Sequence, residues 1–296
     1  MKTIHTVSAL ERYVCDTRKT GMRIGLVPTM GALHAGHASL IRRSIAENEV
    51  TVVSIFVNPT QFNDKNDLAN YPRTLDADCR LIGTVKSEVE AATAAARHVV
   101  VFAPSAEEIY PYPDTRRFSF PPTDSVMEGA RRPGHFNGVC QIVSRLFEMT
   151  LPDCAYFGEK DFQQIAVVRA MMHAQGFTFP LVACPIVREA SGLALSSRNT
   201  LLTAAERQTA AAISQTLFES QKLSHTLSVQ QVRRHVVHTL NAIDGLEVEY
   251  FEIVNAGNLL PVEDWTEAAH VQGCITVYCG DVRLIDNIAY PDSLHK

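Results

Sequence analysis

Two histidines, His34 and His37, close the run of residues 28–37, which also carries Gly31 and Gly36. Spaced three apart in the first turn of a helix, both imidazoles can face one side. There they can donate hydrogen bonds to phosphate oxygens and stabilise charge developing on a leaving pyrophosphate. The two glycines let backbone approach a phosphate closely, while the first-turn N–H groups and the helix dipole favour negative charge. A zinc pair or two surface histidines are the alternatives. Zinc needs a third ligand, and no Glu follows here in a His-Glu-x-x-His arrangement.

Other stretches offer matching chemistry. Gly158, Glu159, Lys160 and Asp161 form a second strand-to-helix turn. Its lysine is a movable positive charge for phosphate, and Asp161 is a helix cap. Gln164 follows one turn into the helix, on the ligand side. Ser196, Ser197 and Arg198 put two hydroxyls and a guanidinium in one loop, suited to clamping a polyphosphate. An N-cap run is the alternative there, but Thr203 and Glu206 already form a capping box for the next helix. Asn58 and Gln61 present amides after a strand, fit for neutral hydroxyls and amines or for a simple capped turn. Arg132 and His135 lie in a basic, Gly-rich loop over residues 128–138 that could meet a carboxylate or phosphate. Asp76 and Asp78 complement a helix dipole or hold magnesium in part.

These residues need a scaffold that carries them on the ends of strands. The apolar run at 24–27 reads as a buried parallel strand, with Leu40, Ile41, Ser44 and Ile45 at helical spacing after it. Further strands are expected at 50–57, 99–102, 153–157 and within 179–187, with helices over 7–20, from 71 onward, 86–97, 139–150 and 162–175. Residues 64–70 read as a mobile loop and 110–122 as an irregular connection. Such alternation predicts an α/β fold, a Rossmann-like doubly wound parallel sheet. Two helices (204–223 and 229–243) then precede strands at 248–254, 275–278 and 282–285, a smaller α+β lid domain. The expected domains are 1–187 and 188–296.

At 296 residues the chain can bury a sizeable core, and its net charge of −5 argues against general nucleic-acid or membrane binding. No apolar stretch approaches the ~18 residues of a membrane span, and residues 1–5 lack the apolar core of a signal peptide. Seven cysteines (Cys15, Cys79, Cys140, Cys154, Cys184, Cys274 and Cys279), without a Cys-x-x-Cys pair, predict reduced core thiols and a cytoplasmic chain.

The ordered set of motifs resembles the pantothenate synthetase (pantoate–β-alanine ligase) family of the His-x-Gly-His nucleotidyltransferase superfamily. The match spans nearly the whole chain: residues 28–37; Phe56, Val57, Asn58 and Pro59 with Gln61 and Phe62; 71–74; 102–105; 132–136; 158–164; 195–198; and 280–287. The resemblance implies ATP-dependent condensation of (R)-pantoate with β-alanine through pantoyl adenylate, releasing AMP and pyrophosphate, on the route to coenzyme A. It assigns ATP binding to Met30, Gly31, Ala32, Leu33, His34, Ala35, Gly36, His37, Gly158, Glu159, Lys160, Asp161, Val187, Leu195, Ser196, Ser197 and Arg198. Within that set His37, His34, Lys160 and Arg198 are the catalytic group, with His37 the general acid. Gln61 and Gln164 are implied for pantoate, Gln61 also for β-alanine, and Asp78 for Mg2+. The resemblance also implies a homodimer, a lid whose 195–198 loop closes over the triphosphate, and neither nucleic-acid nor membrane partners.

Three departures from that pattern stand out. Ala77 separates Asp76 from Asp78, where the family often has adjacent acids; the alanine-rich 86–97 run is longer; and Thr60 replaces a common methionine. Two rivals compete: another His-x-Gly-His adenylyltransferase, which would leave the nucleotide joined to its product, and a catalytically silent nucleotide-binding regulator.

Overall fold

The computed structural model describes residues 1–63 and 65–292. Its elements alternate as β1 (Lys2–Ile4), α1 (Val7–Lys19), β2 (Ile24–Thr29), α2 (Ala35–Glu47), β3 (Val50–Ile55), α3 (Lys65–Asn70), α4 (Leu75–Thr93), β4 (His98–Phe102) and α5 (Ala106–Ile109). They continue with α6 (Met127–Arg131), α7 (His135–Thr150), β5 (Cys154–Gly158), α8 (Phe162–Gln175) and β6 (Leu181–Cys184). The last part holds α9 (Ala204–Leu223), α10 (Val229–Asn241), β7 (Leu246–Asn255), β8 (Val271–Cys279) and β9 (Val282–Ala289). Internal contacts divide the chain into two units: Met1–Phe120, Arg132–Glu159 and Val167–Pro185 form the first, and Pro121–Arg131, Lys160–Ala166 and everything from Ile186 onward the second.

The first unit is built on a six-stranded parallel sheet in the order β1-β4-β3-β2-β5-β6. Ile24, Leu26, Val27, Val52 and Val53 are inaccessible, as expected of strands covered on both faces. From β2 the chain builds outward through β3 and β4, then returns to add β5 and β6 on β2's other side. That reversal between β2 and β5 is where open α/β sheets hold ligands, beyond the strands' C-terminal ends. Helix α2 packs Ile41 and Ile45 against Val27, Val53 and Tyr156, each such side chain contributing about 1.5–3 kcal/mol on burial. Polar pins fix its rotation. Ser44 Oγ meets Thr51 Oγ1 at 2.9 Å, and Asn48 Nδ2 donates to the Tyr156 hydroxyl at 2.8 Å. A Cβ at Gly25 would collide with Ser44 and Asn48, so glycine permits this close seat.

The second unit holds an antiparallel sheet, β7-β8-β9. Val229, Val232, Val236 and Leu240 recur at helical spacing on α10 and join Ile213, Leu217, Phe251, Ile275 and Val277 in one core. Capping boxes start both helices, Thr203 with Glu206 and Ser228 with Gln231.

Several local expectations change. The contacts place the division two residues earlier than 187 and move 121–131 and 160–166 into the second unit. Side chains explain the move: Arg283 donates two hydrogen bonds to the Glu128 carboxylate (2.8 and 2.6 Å), and Gln163 Nε2 donates to the carbonyls of Thr123 and Val126. Residues 65–70 form the short α3 instead of a loop, while Asp64 lies outside the described residues. The 128–138 stretch holds all of α6 but its first residue, and the start of α7. The alanine-rich run is helical only to Thr93, because Ala94 turns left-handed (φ 51°). Cys15 is exposed and Cys79 half-buried, so only the other five cysteines are core residues; all seven are free thiols.

Candidate active site

The turn after β2 is shaped by its own backbone. Gly31 (φ 82°) and Ala32 (φ 50°) are both left-handed, and the chain is then caught by side chains from elsewhere. Asp78, 2% exposed on α4, accepts the N–H groups of Ala32 (3.1 Å, Oδ2) and Leu33 (2.8 Å, Oδ1) and the Thr74 hydroxyl (3.2 Å, Oδ1). Thr29 Oγ1 accepts the Gly31 N–H at 3.2 Å and donates to the Ser54 carbonyl at 2.6 Å. Asp78 therefore works as a clamp on the turn. Its oxygens face main-chain donors, which does not fit the magnesium-ligand expectation, and no group of three or more His, Cys, Asp or Glu suited to a metal occurs among the described residues.

The histidines cap α2. His34 is its N-cap, with Nδ1 accepting the Gly36 N–H at 3.1 Å, and His37 Nδ1 accepts the His34 N–H at 3.4 Å. A ring nitrogen that accepts from an amide carries no proton, so the neutral rings hold theirs on Nε2. The two rings lie 4.1 Å apart at 45°. Gly36 gives its N–H to His34 Nδ1, so that first-turn donor is engaged within the turn.

Gln61 is oriented by a chain of bonds that ends on unambiguous backbone groups. Asn58 Nδ2 donates to the Gly138 carbonyl (3.0 Å), so its Oδ1 is the atom accepting from Thr60 N–H and the Tyr110 hydroxyl (2.9 Å). The same Nδ2 donates to Gln61 Oε1 at 3.1 Å, which turns the Gln61 NH2 toward Met30 Sδ, 3.1 Å away. Gln61 thus presents donors. A Cβ at Gly138 would collide with the backbone of Thr60 and Gln61, so this glycine lets α7 approach the 59–61 turn. His135 Nδ1 donates to the Gln61 carbonyl at 2.9 Å and its Nε2 takes Arg132 at 3.3 Å, so His135 holds Gln61 rather than an anion. Met30 and Gly31 also line a cavity of about 330 Å³ at the ends of β2, β3 and β4, with Arg73, Thr74, Asp78 and Ser105.

In the second unit, Lys160 and Asp161 end a 3-10 turn (Glu159–Asp161), with Lys160 Nζ 3.3 Å from Asp161. Val187 and Leu195 face each other across a hairpin, joined by the Leu195 N–H to the Val187 carbonyl at 3.0 Å. Ser196 caps a following 3-10 turn (Ser197–Leu201), accepting the Arg198 N–H at 3.2 Å. Capping therefore accounts for Ser196, contrary to expectation.

A sequence model of the family described as Pantoate-beta-alanine ligase matches residues 2–289. The chain belongs to the pantoate-beta-alanine ligase family. It is similar to the pantothenate synthetase of Bacteroides fragilis (strain YCH46), 59% identical over 293 residues that cover 99% of this chain and 100% of that protein. The crystal structure of the pantothenate synthetase from Thermus thermophilus matches with a TM-score of 0.88 at 38% identity, over 98% of this chain and 100% of that one. A Francisella tularensis pantoate-beta-alanine ligase, complexed with β-γ ATP and β-alanine, matches at 0.77 and 32%, over 97% of both chains.

Within this ligase fold, residues 30–37, Gln61, Gly158 and Glu159 fall in the first unit, and Lys160, Asp161, Gln164, Val187 and Leu195 to Arg198 in the second. Residues 30–37 follow β2 and Gly158 ends β5, the two strands at the sheet's switch point, while Gln61 follows β3. A Cβ at Gly158 would meet nothing within 4 Å, so the backbone there stays open. Sequence reasoning noted Asn58 but not its grip on Gln61, and it missed Tyr110 altogether. The Asn58, Pro59 and Gln61 spacing was the available signal, since an Asn before a Pro-led turn caps it and faces the third residue on.

Proposed function

We propose that the protein condenses (R)-pantoate with β-alanine, using ATP, in two steps. A carboxylate oxygen of pantoate attacks the α-phosphorus, the bond to the β-phosphate oxygen breaks, and pyrophosphate leaves with the electron pair. The neutral amine of β-alanine then attacks the acyl carbon of pantoyl adenylate. The C–O bond to AMP breaks, and the amine releases a proton to solvent.

The observation that carries this proposal is the pair of histidines at the α2 N-terminus, each with Nδ1 taken by a backbone amide. We assign their Nε2–H groups to the phosphates, with His37 donating to the leaving pyrophosphate. Residues 30–37 with Gly158, Glu159 and Asp161 are assigned to ATP, together with Val187, Leu195, Ser196 and Ser197. Lys160 and Arg198 balance the triphosphate charge. The donor orientation of Gln61 supports an N–H to a pantoate oxygen, and Gln164 is its counterpart, Gln61 also serving β-alanine. No protein nucleophile is required, because the substrate's own carboxylate attacks; the demand is positioning and charge stabilisation. Magnesium is assigned to the ATP phosphates rather than to Asp78. A cytoplasmic homodimer completes the proposal, with the free thiols supporting the compartment. Among the described residues no helix is long and apolar enough to cross a membrane.

Labelled pyrophosphate tests the two-step course. With ATP and pantoate present and β-alanine omitted, label should enter ATP. Exchange that needs β-alanine, or none at all, contradicts the adenylate intermediate.

A further inference from the structure

The end of β9 carries two polar residues where an antiparallel strand packed on a core usually turns apolar. Asp286 is 5% exposed and Asn287 4%. Asn287 Nδ2 donates to the main-chain carbonyl of Lys160 at 3.0 Å, and because that partner can only accept, Oδ1 is the atom taking Gln272 Nε2 at 2.7 Å. The Asn287 N–H donates to Asp286 Oδ1 at 2.8 Å. Asp286 in turn holds Arg188 in a two-bond fork, Nη1 to Oδ2 at 2.6 Å and Nη2 to Oδ1 at 3.0 Å. Arg188 Nη1 also donates to the Gly192 carbonyl at 3.2 Å, and its backbone pairs with Ala194 across the hairpin that leads to Ser196 and Arg198. One buried network thus reaches both the Lys160 backbone and the base of the 196–198 loop. A buried ion pair adds little stability over an apolar pair of equal volume, though it fixes geometry well.

We propose that Asn287 and Asp286 are positioning residues for adenylate formation, aiming Lys160 and Arg198, from a common anchor, at the β- and γ-phosphates that leave as pyrophosphate. This rests on the assignment of those two cations to the triphosphate. Asn287 sets the Lys160 main chain, from which the ammonium projects. Asp286, through Arg188, sets the hairpin from which Arg198 projects. Both act on the step in which charge builds on pyrophosphate, since the β- and γ-phosphates have already left when β-alanine attacks a preformed acyl adenylate.

The test uses N287D, which keeps the shape but offers no donor to the Lys160 carbonyl. Pantoate-dependent pyrophosphate exchange should fall about 10- to 100-fold, the cost of misplacing a charge stabiliser by about an ångström. Reaction of supplied pantoyl adenylate with β-alanine should stay within about twofold of wild type, because the β- and γ-phosphates that those two cations face take no part in it. In the double variant K160A/N287D, exchange should be no slower than in K160A alone, because Asn287 acts through Lys160. Equal losses in both half-reactions, or losses that multiply in the double variant, overturn the positioning role. Undiminished exchange in K160A contradicts the assignment of Lys160 itself, and the positioning role falls with it. If N287D does not accumulate folded, N287S, too short to reach the carbonyl, is measured by the same criteria.

Discussion

His34 and His37 each have one ring nitrogen chosen by the main chain. With Nδ1 accepting an amide proton in both, the neutral ring's hydrogen sits on Nε2. H37A should therefore cut pantoate-dependent exchange about 10²- to 10³-fold. The 3.4 Å cap it forms is long, so its melting temperature should change by only a few degrees, about 1 kcal/mol or less. Equal damage to folding and to exchange would return His37 to a structural role. Gln61 gives a second handle, since its donors face away from Asn58. Q61E keeps the bond from Asn58 but replaces the outward donors with negative charge. The KM for pantoate should rise at least about tenfold, a loss of about 1.4 kcal/mol or more in binding the carboxylate. An unchanged KM would remove Gln61 from the pantoate contact. The residue types of both sites stood in plain view in the sequence. Which atom carries the proton, and which way an amide points, depends on backbone groups such as the Gly138 carbonyl, 80 positions from Asn58 in sequence.

Among the elements, α4 matters to the site through one side chain. Asp78 closes on the turn at Ala32 and Leu33, 46 and 45 positions away in sequence. D78N replaces half of that acceptor pair with a donor facing an amide, which should lower folding stability by about 1–3 kcal/mol. The magnesium concentration giving half-maximal activity should not move. A shift in that midpoint would reinstate Asp78 as a metal ligand. Sequence spacing alone showed an acid in the first turn of a helix, where dipole complement and metal ligand look alike; only the tertiary closure separates them. The same limit explains α6 and the short β1. Buried runs such as Val50–Ile55 are legible because periodicity is local, whereas Lys2–Ile4 is a strand only because it pairs with β4. Ser196 is a similar case, its cap serving a 3-10 turn that no longer-range pattern announces.

Over the chain as a whole, sequence patterning correctly indicated a parallel sheet followed by a smaller α+β unit, but not the transfer of 121–131 and 160–166 to the second unit. Glu128 and Gln163 hold those segments by bonds to residues remote in sequence, and no composition change marks them. Stability against acid has an identifiable source in the first unit. Asp114 is nearly inaccessible; burial pushes its carboxyl up, but hydrogen bonds from Arg116 and Arg145 outweigh that and hold it well below its ordinary 3.8. A depressed carboxyl stabilises the fold above its unfolded value and loses that contribution as pH falls through the folded one. D114N should thus be less stable than wild type by about 1–3 kcal/mol near neutrality. Urea unfolding should show the gap closing only below the ordinary carboxylate range; a gap independent of pH would remove Asp114 from acid stability. The ligase activity itself is decided by AMP release with ATP, magnesium, pantoate and β-alanine together. AMP should form in step with pyrophosphate and depend on both pantoate and β-alanine, and either AMP formation indifferent to β-alanine or no AMP at all would contradict the ligase function.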